Sequence, residues 1–145
     1  MSEDKARRLI DRLQHLHHEA EAAGKSAETS DLSSQELRVL CMIGREHCPI
    51  MSAIAGAIRL SLSTATGLID RLCEKKLVRR DRSVEDRRVV QVELTPEGRE
   101  LHAAAMEGRV RYAGQLLGTL SPKEQEELLA LLDKLRARAE VRRPG

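Results

Sequence analysis

The sequence predicts a mainly helical fold carrying one small β-hairpin, with the element order α-α-α-α-β-β-α-α. Three observations predict it. Apolar residues recur at helical spacing through most of the 145 residues, behind recognisable capping residues. One short segment instead alternates apolar and polar. The only aromatic side chain is Tyr112, so the core must be aliphatic. That suits packed helices and disfavours an all-β sandwich. It also disfavours single-stranded nucleic acid as a ligand, whose bases stack on aromatic platforms.

The first helix is expected over residues 4–22, with Leu9, Ile10, Leu13 and Leu16 on one face and Lys5, Arg7, Arg8, Asp11 and Arg12 on the other. Gly24 ends it, and residues 25–30 read as a polar loop. Ser33 and Glu36 have capping-box spacing before a second helix with a Leu37, Leu40, Cys41, Ile43 stripe, ending near Gly44. Pro49 closes the next loop. Ser52 is the expected cap of a short third helix that turns Ile54, Ala55 and Ile58 inward. Ser61 caps a fourth with Ala65, Leu68, Ile69 and Leu72 as core positions. Its opposite face carries Ser63, Thr64, Thr66, Gly67, Asp70 and Arg71, unlike the Lys/Glu coat of an ordinary surface helix. Residues 78–82 and 89–94 are the strands, and the charged segment 83–88 is their turn. Thr95-Pro96 starts a fifth helix running to about Leu117. Ser121-Pro122-Lys123-Glu124 starts a sixth with Leu128, Leu129, Leu131, Leu132 and Leu135, fraying near Arg142.

Hydrophobic residues are 41% and charged residues 33%, the balance of a soluble globular chain of one domain. No apolar run approaches the roughly 18 residues of a membrane span, and the charged start is no secretory signal, so a cytoplasmic location without membrane contact is expected. Three scattered cysteines fit free thiols in a reducing compartment. The net charge of +2 is uninformative, but its distribution is not. Residues 71–88 hold eight Lys or Arg against four acids, a patch able to bind phosphates by counterion release.

Helices three and four, separated only by Arg59-Leu60, have the arrangement of a helix-turn-helix whose second helix enters the major groove of double-stranded DNA. Small residues near the start of that helix let its backbone approach base edges. Ser61, Ser63, Thr64, Thr66 and Gly67 meet that need, and Arg71 reaches toward a base or a phosphate.

Between Leu32 and Leu101 stand Leu32-Ser33-Ser34-Gln35, Ile54-Ala55, Leu68-Ile69-Asp70-Arg71-Leu72, Leu77-Val78, Glu85-Asp86-Arg87-Arg88 and Leu94-Thr95-Pro96-Glu97-Gly98. By these residues the segment resembles the MarR family of bacterial regulators. The resemblance implies a winged helix-turn-helix lobe over 32–98 and a helical dimerisation region over 1–24 and 99–145. It implies a homodimer reading a palindrome, most often as a repressor. The sequence shows no Ser-His-Asp ordering with supporting loops, no phosphate-cradling Gly motif and no paired carboxylates in an apolar setting, so no enzyme is expected. It also implies that Arg88 enters the minor groove while Asp86 braces it, with Arg87 beside them in the wing. A narrow minor groove attracts such an arginine. Lys76 and Arg59 stand where the family usually has glycine, and Gly67 where it often has a longer polar side chain.

The resemblance further implies a small-molecule, redox or metal effector. The thiols open to oxidation are Cys48, beside Pro49, and Cys73, whose neighbours Lys75 and Lys76 are expected to activate it; Cys41 reads as packing. His15, His18 and Glu19 are the candidate metal ligands on a face that otherwise reads as solvated. No cofactor is expected. A winged-helix protein–protein adaptor, or an architectural DNA-binding protein without an effector, is the alternative.

Overall fold

The computed structural model describes residues 2–47, 49–86 and 88–141. Its elements are α1 (Glu3–Ala23), a 3-10 turn (Ala27–Thr29), α2 (Ser34–Glu46), α3 (Met51–Ile58), α4 (Leu62–Glu74), β1 (Val78–Arg82), β2 (Val90–Leu94), α5 (Pro96–Leu117) and α6 (Pro122–Val141). The order is the one the sequence predicts. The chain forms two compact units, Met1–Arg109 and Val110–Gly145.

The first unit is organised by its caps and its aliphatic core. Ser33 Oγ accepts the Glu36 N–H at 3.1 Å, and Ser61 Oγ accepts that of Thr64 at 3.1 Å. These bonds satisfy amides that a helix start leaves orphaned. Behind them Leu40, Ile43, Ile54, Leu68, Ile69, Leu72, Val39 and Val92 are fully buried. The antiparallel pair β1–β2 runs in the register Val78↔Leu94, Arg80↔Val92, Arg82↔Val90.

Three local expectations change. Ser52 does not cap α3. The chain stays extended through Ile50, which bridges to Gln91, while Pro49 O accepts the Val92 N–H at 2.9 Å. The helix therefore starts at Met51 with Ile50 as its cap residue, so Ser52 lies inside it. Residues 25–30 are more than a loop: Thr29 is buried, and its Oγ1 accepts the Ser26 N–H at 2.8 Å. The second helix continues past Gly44 to Glu46 and ends at His47, whose φ is 50°.

Arg59 (φ 55°) and Lys76 (φ 60°) take left-handed backbone without being glycine. Each closes a helix: Leu60 N–H reaches Ala55 O at 3.1 Å, and Leu77 N–H reaches Leu72 O at 3.0 Å. A left-handed non-glycine residue carries strain, partly offset in a glycine variant by a freer unfolded chain. Arg59→Gly and Lys76→Gly are each expected to stabilise the fold by about 1 kcal/mol. Thermal melts read this as a rise of a few degrees.

Thr95 ties the hairpin to α5. Its Oγ1 donates to Lys76 O at 2.7 Å and accepts the Gly98 N–H at 3.1 Å. A Cβ on Gly98 would run into the Leu77 carbonyl, so this crossing requires glycine.

In the second unit, the end of α5 and α6 are joined by a full capping box. Ser121 N–H donates to Glu124 Oε2 at 2.8 Å, and Glu124 N–H to Ser121 Oγ at 3.2 Å. No residue of α6 is buried, and Leu128, Leu129, Leu131, Leu132 and Leu135 stand exposed. In the first unit α1 is likewise without a buried residue, its Leu9, Ile10, Leu13 and Leu16 exposed.

Candidate nucleic-acid interface

Between α3 and α4 the chain turns by 109°, within the range of a helix-turn-helix. The inward side of α4 is Ala65, Leu68, Ile69 and Leu72, each 0% exposed. Helical spacing then places Leu62, Ser63, Thr66 and Gly67 together on an outward face. Ser61, Leu62, Ser63 and Thr64 are exposed and Thr66 and Gly67 partly so. Gly67 meets no atom within reach of an added Cβ. Its lack of a side chain is therefore not demanded by packing within the chain.

The hydroxyls are partly committed. Ser61 Oγ donates to Thr64 Oγ1 at 2.9 Å, and Thr66 Oγ1 donates back to Leu62 O at 2.7 Å. Such back-bonding leaves Thr66 its acceptor lone pairs for the outward side.

Arg71 is less free than its position suggests. Its Nε lies 3.9 Å from Glu36 Oε1. Glu36 is buried, and its other oxygen holds Lys75 Nζ at 2.7 Å, while Lys75 also donates to Asp31 O at 2.5 Å. Glu36 thus uses its N–H on the Ser33 cap and turns its carboxylate to α4, instead of completing the box. Asp70 on α4 pairs with Arg80 on β1, which couples this helix to the hairpin. Arg79 pairs with Glu93. Much of the basic patch is therefore internally paired.

The wing presents a different arrangement. Asp86 Oδ1 accepts the Arg88 N–H at 3.0 Å and its Nε–H at 3.2 Å, and Oδ2 accepts from Nη2 at 3.2 Å. The Arg88 side chain is nonetheless 91% exposed. The Arg88 guanidinium and amide hold the Asp86 carboxyl below the usual carboxylate range. Ser83 stiffens the turn, its Oγ facing the N–H groups of Glu85 and Asp86 at 3.3 and 3.4 Å. Arg87 lies outside the described residues.

The sensing candidates fare differently. Burial pushes the Cys73 thiol up, the opposite of the activation expected from Lys75 and Lys76; Lys75 is spent on Glu36. Burial raises Cys41 as well. Cys48 lies outside the described residues. His15, His18 and Glu19 are exposed on α1, and among the described residues no group of three or more His, Cys, Asp or Glu is gathered to hold a metal.

One cleft, of about 180 Å³, was not legible from sequence. It is lined by Gly44, His47, Glu93, Arg99 and His102 among others. The His102 ring lies over Gly44, where a Cβ would be 2.7 Å from it. Its Nδ1 is buried without a hydrogen-bond partner, and burial, then Arg109, lowers its pKa. A histidine whose folded pKa is depressed takes up its proton more readily unfolded, so stability falls as pH drops below its ordinary value near 6.5. His102→Gln is expected to flatten the decline in melting temperature between about pH 7 and about pH 5.

The sequence profile of the MarR family matches residues 32–90, the span that holds this helix-turn-helix and the wing's Asp86–Arg88 pair. Residues 32–90 form a MarR-family domain. YfiV of Bacillus subtilis, an uncharacterized HTH-type transcriptional regulator, is 34% identical over 96 residues, 66% of this chain and 60% of that protein. The chain thus spans about three fifths of that relative's length. The fold matches a MarR family protein from Bacillus stearothermophilus with a TM-score of 0.81 at 22% identity, covering 97% of this chain and 99% of that one. It also matches Streptococcus pneumoniae FabT, solved in complex with DNA, with a TM-score of 0.76 at 22% identity, covering 95% and 99%. Among the described residues, no single helix is long and apolar enough to cross a membrane.

Proposed function

We propose that this chain is a cytoplasmic transcription regulator that binds double-stranded DNA as a homodimer, with α4 in the major groove and the wing in the minor groove. The observation that carries the reading is the wing pair. A fully presented arginine, Arg88, is held by the carboxylate of Asp86 beside a helix-turn-helix. A brace of this kind reduces the entropy lost when the arginine enters a groove, and a narrow minor groove supplies the potential that draws it in. FabT, of the same fold, is solved with DNA.

The division of labour assigns DNA to residues 32–98 and assembly to 1–24 and 99–145. Helices α1 and α6 support it, since each exposes a leucine-rich stripe and buries nothing within one chain. Long helices draw their stability from packing an apolar face, which a second copy would provide. Ser61, Ser63, Thr64, Thr66, Gly67 and Arg71 then face the bases or phosphates, with Asp86, Arg87 and Arg88 at the flanking minor groove. Repression is the expected sense, because a dimer seated across a promoter occludes it.

The test is retention of random genomic duplexes at moderate salt, with sequencing of what is kept. Enrichment of an inverted repeat with half-sites about one helical turn, roughly 34 Å, apart is expected. Affinity should also fall steeply with salt. Retention that ignores sequence would instead favour an architectural protein, and no retention an adaptor.

A further inference from the structure

We infer that Leu62 is a specificity-determining residue that reads the C5-methyl group of a thymine in each half-site. The inference rests on the DNA-binding reading above and names a contact within it.

Leu62 is the first residue of α4, and its side chain is 56% exposed. A solitary exposed leucine is ordinary on a protein surface; its neighbours make this one informative. It shares the outward face with Ser63, Thr66 and Gly67, all small. The longer side chains farther along α4 are engaged within the chain: Asp70 with Arg80 and Arg71 toward Glu36. The Ser61 and Thr66 protons are donated internally, so those two hydroxyls offer acceptors to the outside. Leu62 is therefore the largest side chain of the first turns without such a partner, and it is apolar.

Residues at the start of a recognition helix come nearest the base edges. The apolar feature that a base presents in the major groove is the thymine methyl. The absence of a side chain at Gly67 lets the helix lie close enough for a residue of leucine's length to reach it. A water-exposed leucine and a water-exposed methyl group are both desolvated by that contact.

The experiment uses the duplex retained in the genomic selection, resynthesised with deoxyuridine replacing thymidine one position at a time in both half-sites. This deletes the methyl and leaves the hydrogen-bonding edges intact. The wild-type protein is expected to lose about fourfold in affinity per half-site at one thymine, the effect of one buried methyl. Leu62→Ala is expected to bind the thymine duplex more weakly and to show no further loss with uracil, while melting at the wild-type temperature. Leu62→Met should retain the sensitivity.

Indifference of the wild-type protein to uracil at every position would overturn the inference and leave the DNA-binding reading standing. So would an equal loss in Leu62→Ala, because another group would then be reading the methyl. Failure to retain any duplex selectively would remove both.

Discussion

Leu13→Asp is expected to convert the protein to a monomer and, with it, to abolish binding to an inverted repeat. Leu13 lies on the α1 stripe with Leu9, Ile10 and Leu16, which are 43–55% exposed in a single chain. A charge there costs the isolated chain little, because no residue of α1 is buried. In an assembled interface it would be desolvated without a partner, a penalty of several kcal/mol per copy, and a two-fold interface meets it twice. Sedimentation of the variant should give one species of half the wild-type mass. Leu132→Asp on α6, where Leu132 is 42% exposed, should behave alike. A variant that stays dimeric and binds DNA would show that these stripes face something other than a second copy.

Gly98→Ala is expected to destabilise the fold by at least about 1–3 kcal/mol, the range for forcing atoms into packed structure. The obstacle is the Leu77 carbonyl oxygen, which is itself fixed by the Thr95 N–H at 3.0 Å. Relief would require breaking the junction where the end of α4, the hairpin and α5 meet. Gly67→Ala provides the contrast. Nothing lies within reach of its Cβ, and alanine favours a helix interior over glycine by about 1 kcal/mol, so that variant should be more stable. Denaturant titrations of the two variants should therefore move in opposite directions.

These variants also mark what the sequence made legible. Local signals transferred well. Ser33, Ser61, Thr95 and Ser121 all cap helices, because a cap bonds an amide two or three residues away and its spacing is written in the chain. Ala65, Leu68, Ile69 and Leu72 were recoverable from periodicity alone. Arg59 and Lys76, which stand where the family usually has glycine, take left-handed backbone. Ser52 misled because a serine before an apolar run is only a local cue, and the Ile50–Gln91 bridge across 41 positions decides where α3 starts.

Pairings across the fold were illegible for the same reason. The carboxylate of Glu36 looked like half of a capping box, yet it holds Lys75, 39 residues away. Asp70 and Arg80 belong to different elements, and only the packing of α4 on β1 brings them together. The Cys73 thiol is instead pushed up by burial, invisible in its neighbouring residues, and Lys75 is engaged with Glu36. The cleft beside His102 draws on α2, β2 and α5, whose proximity no spacing rule encodes. By contrast, the Asp86–Arg88 pair was anticipated through the family resemblance, and the two residues do pair within a single turn.

The wing is where the functional account stands or falls. The most direct measurement is the affinity of wild type and Arg88→Ala for the inverted repeat recovered by selection, across a series of salt concentrations, with Asp86→Ala alongside. Arg88→Ala should bind at least about a hundredfold more weakly as a dimer, since each wing loses a charge-assisted contact of about 1.5–3 kcal/mol. It should also have a salt dependence shallower by about one counterion per wing. Asp86→Ala, which removes the brace but keeps the charge, should lose less affinity and retain the salt slope. Equal affinity and equal salt dependence for wild type and Arg88→Ala would contradict the account, because an arginine held out on the wing would then be touching no DNA.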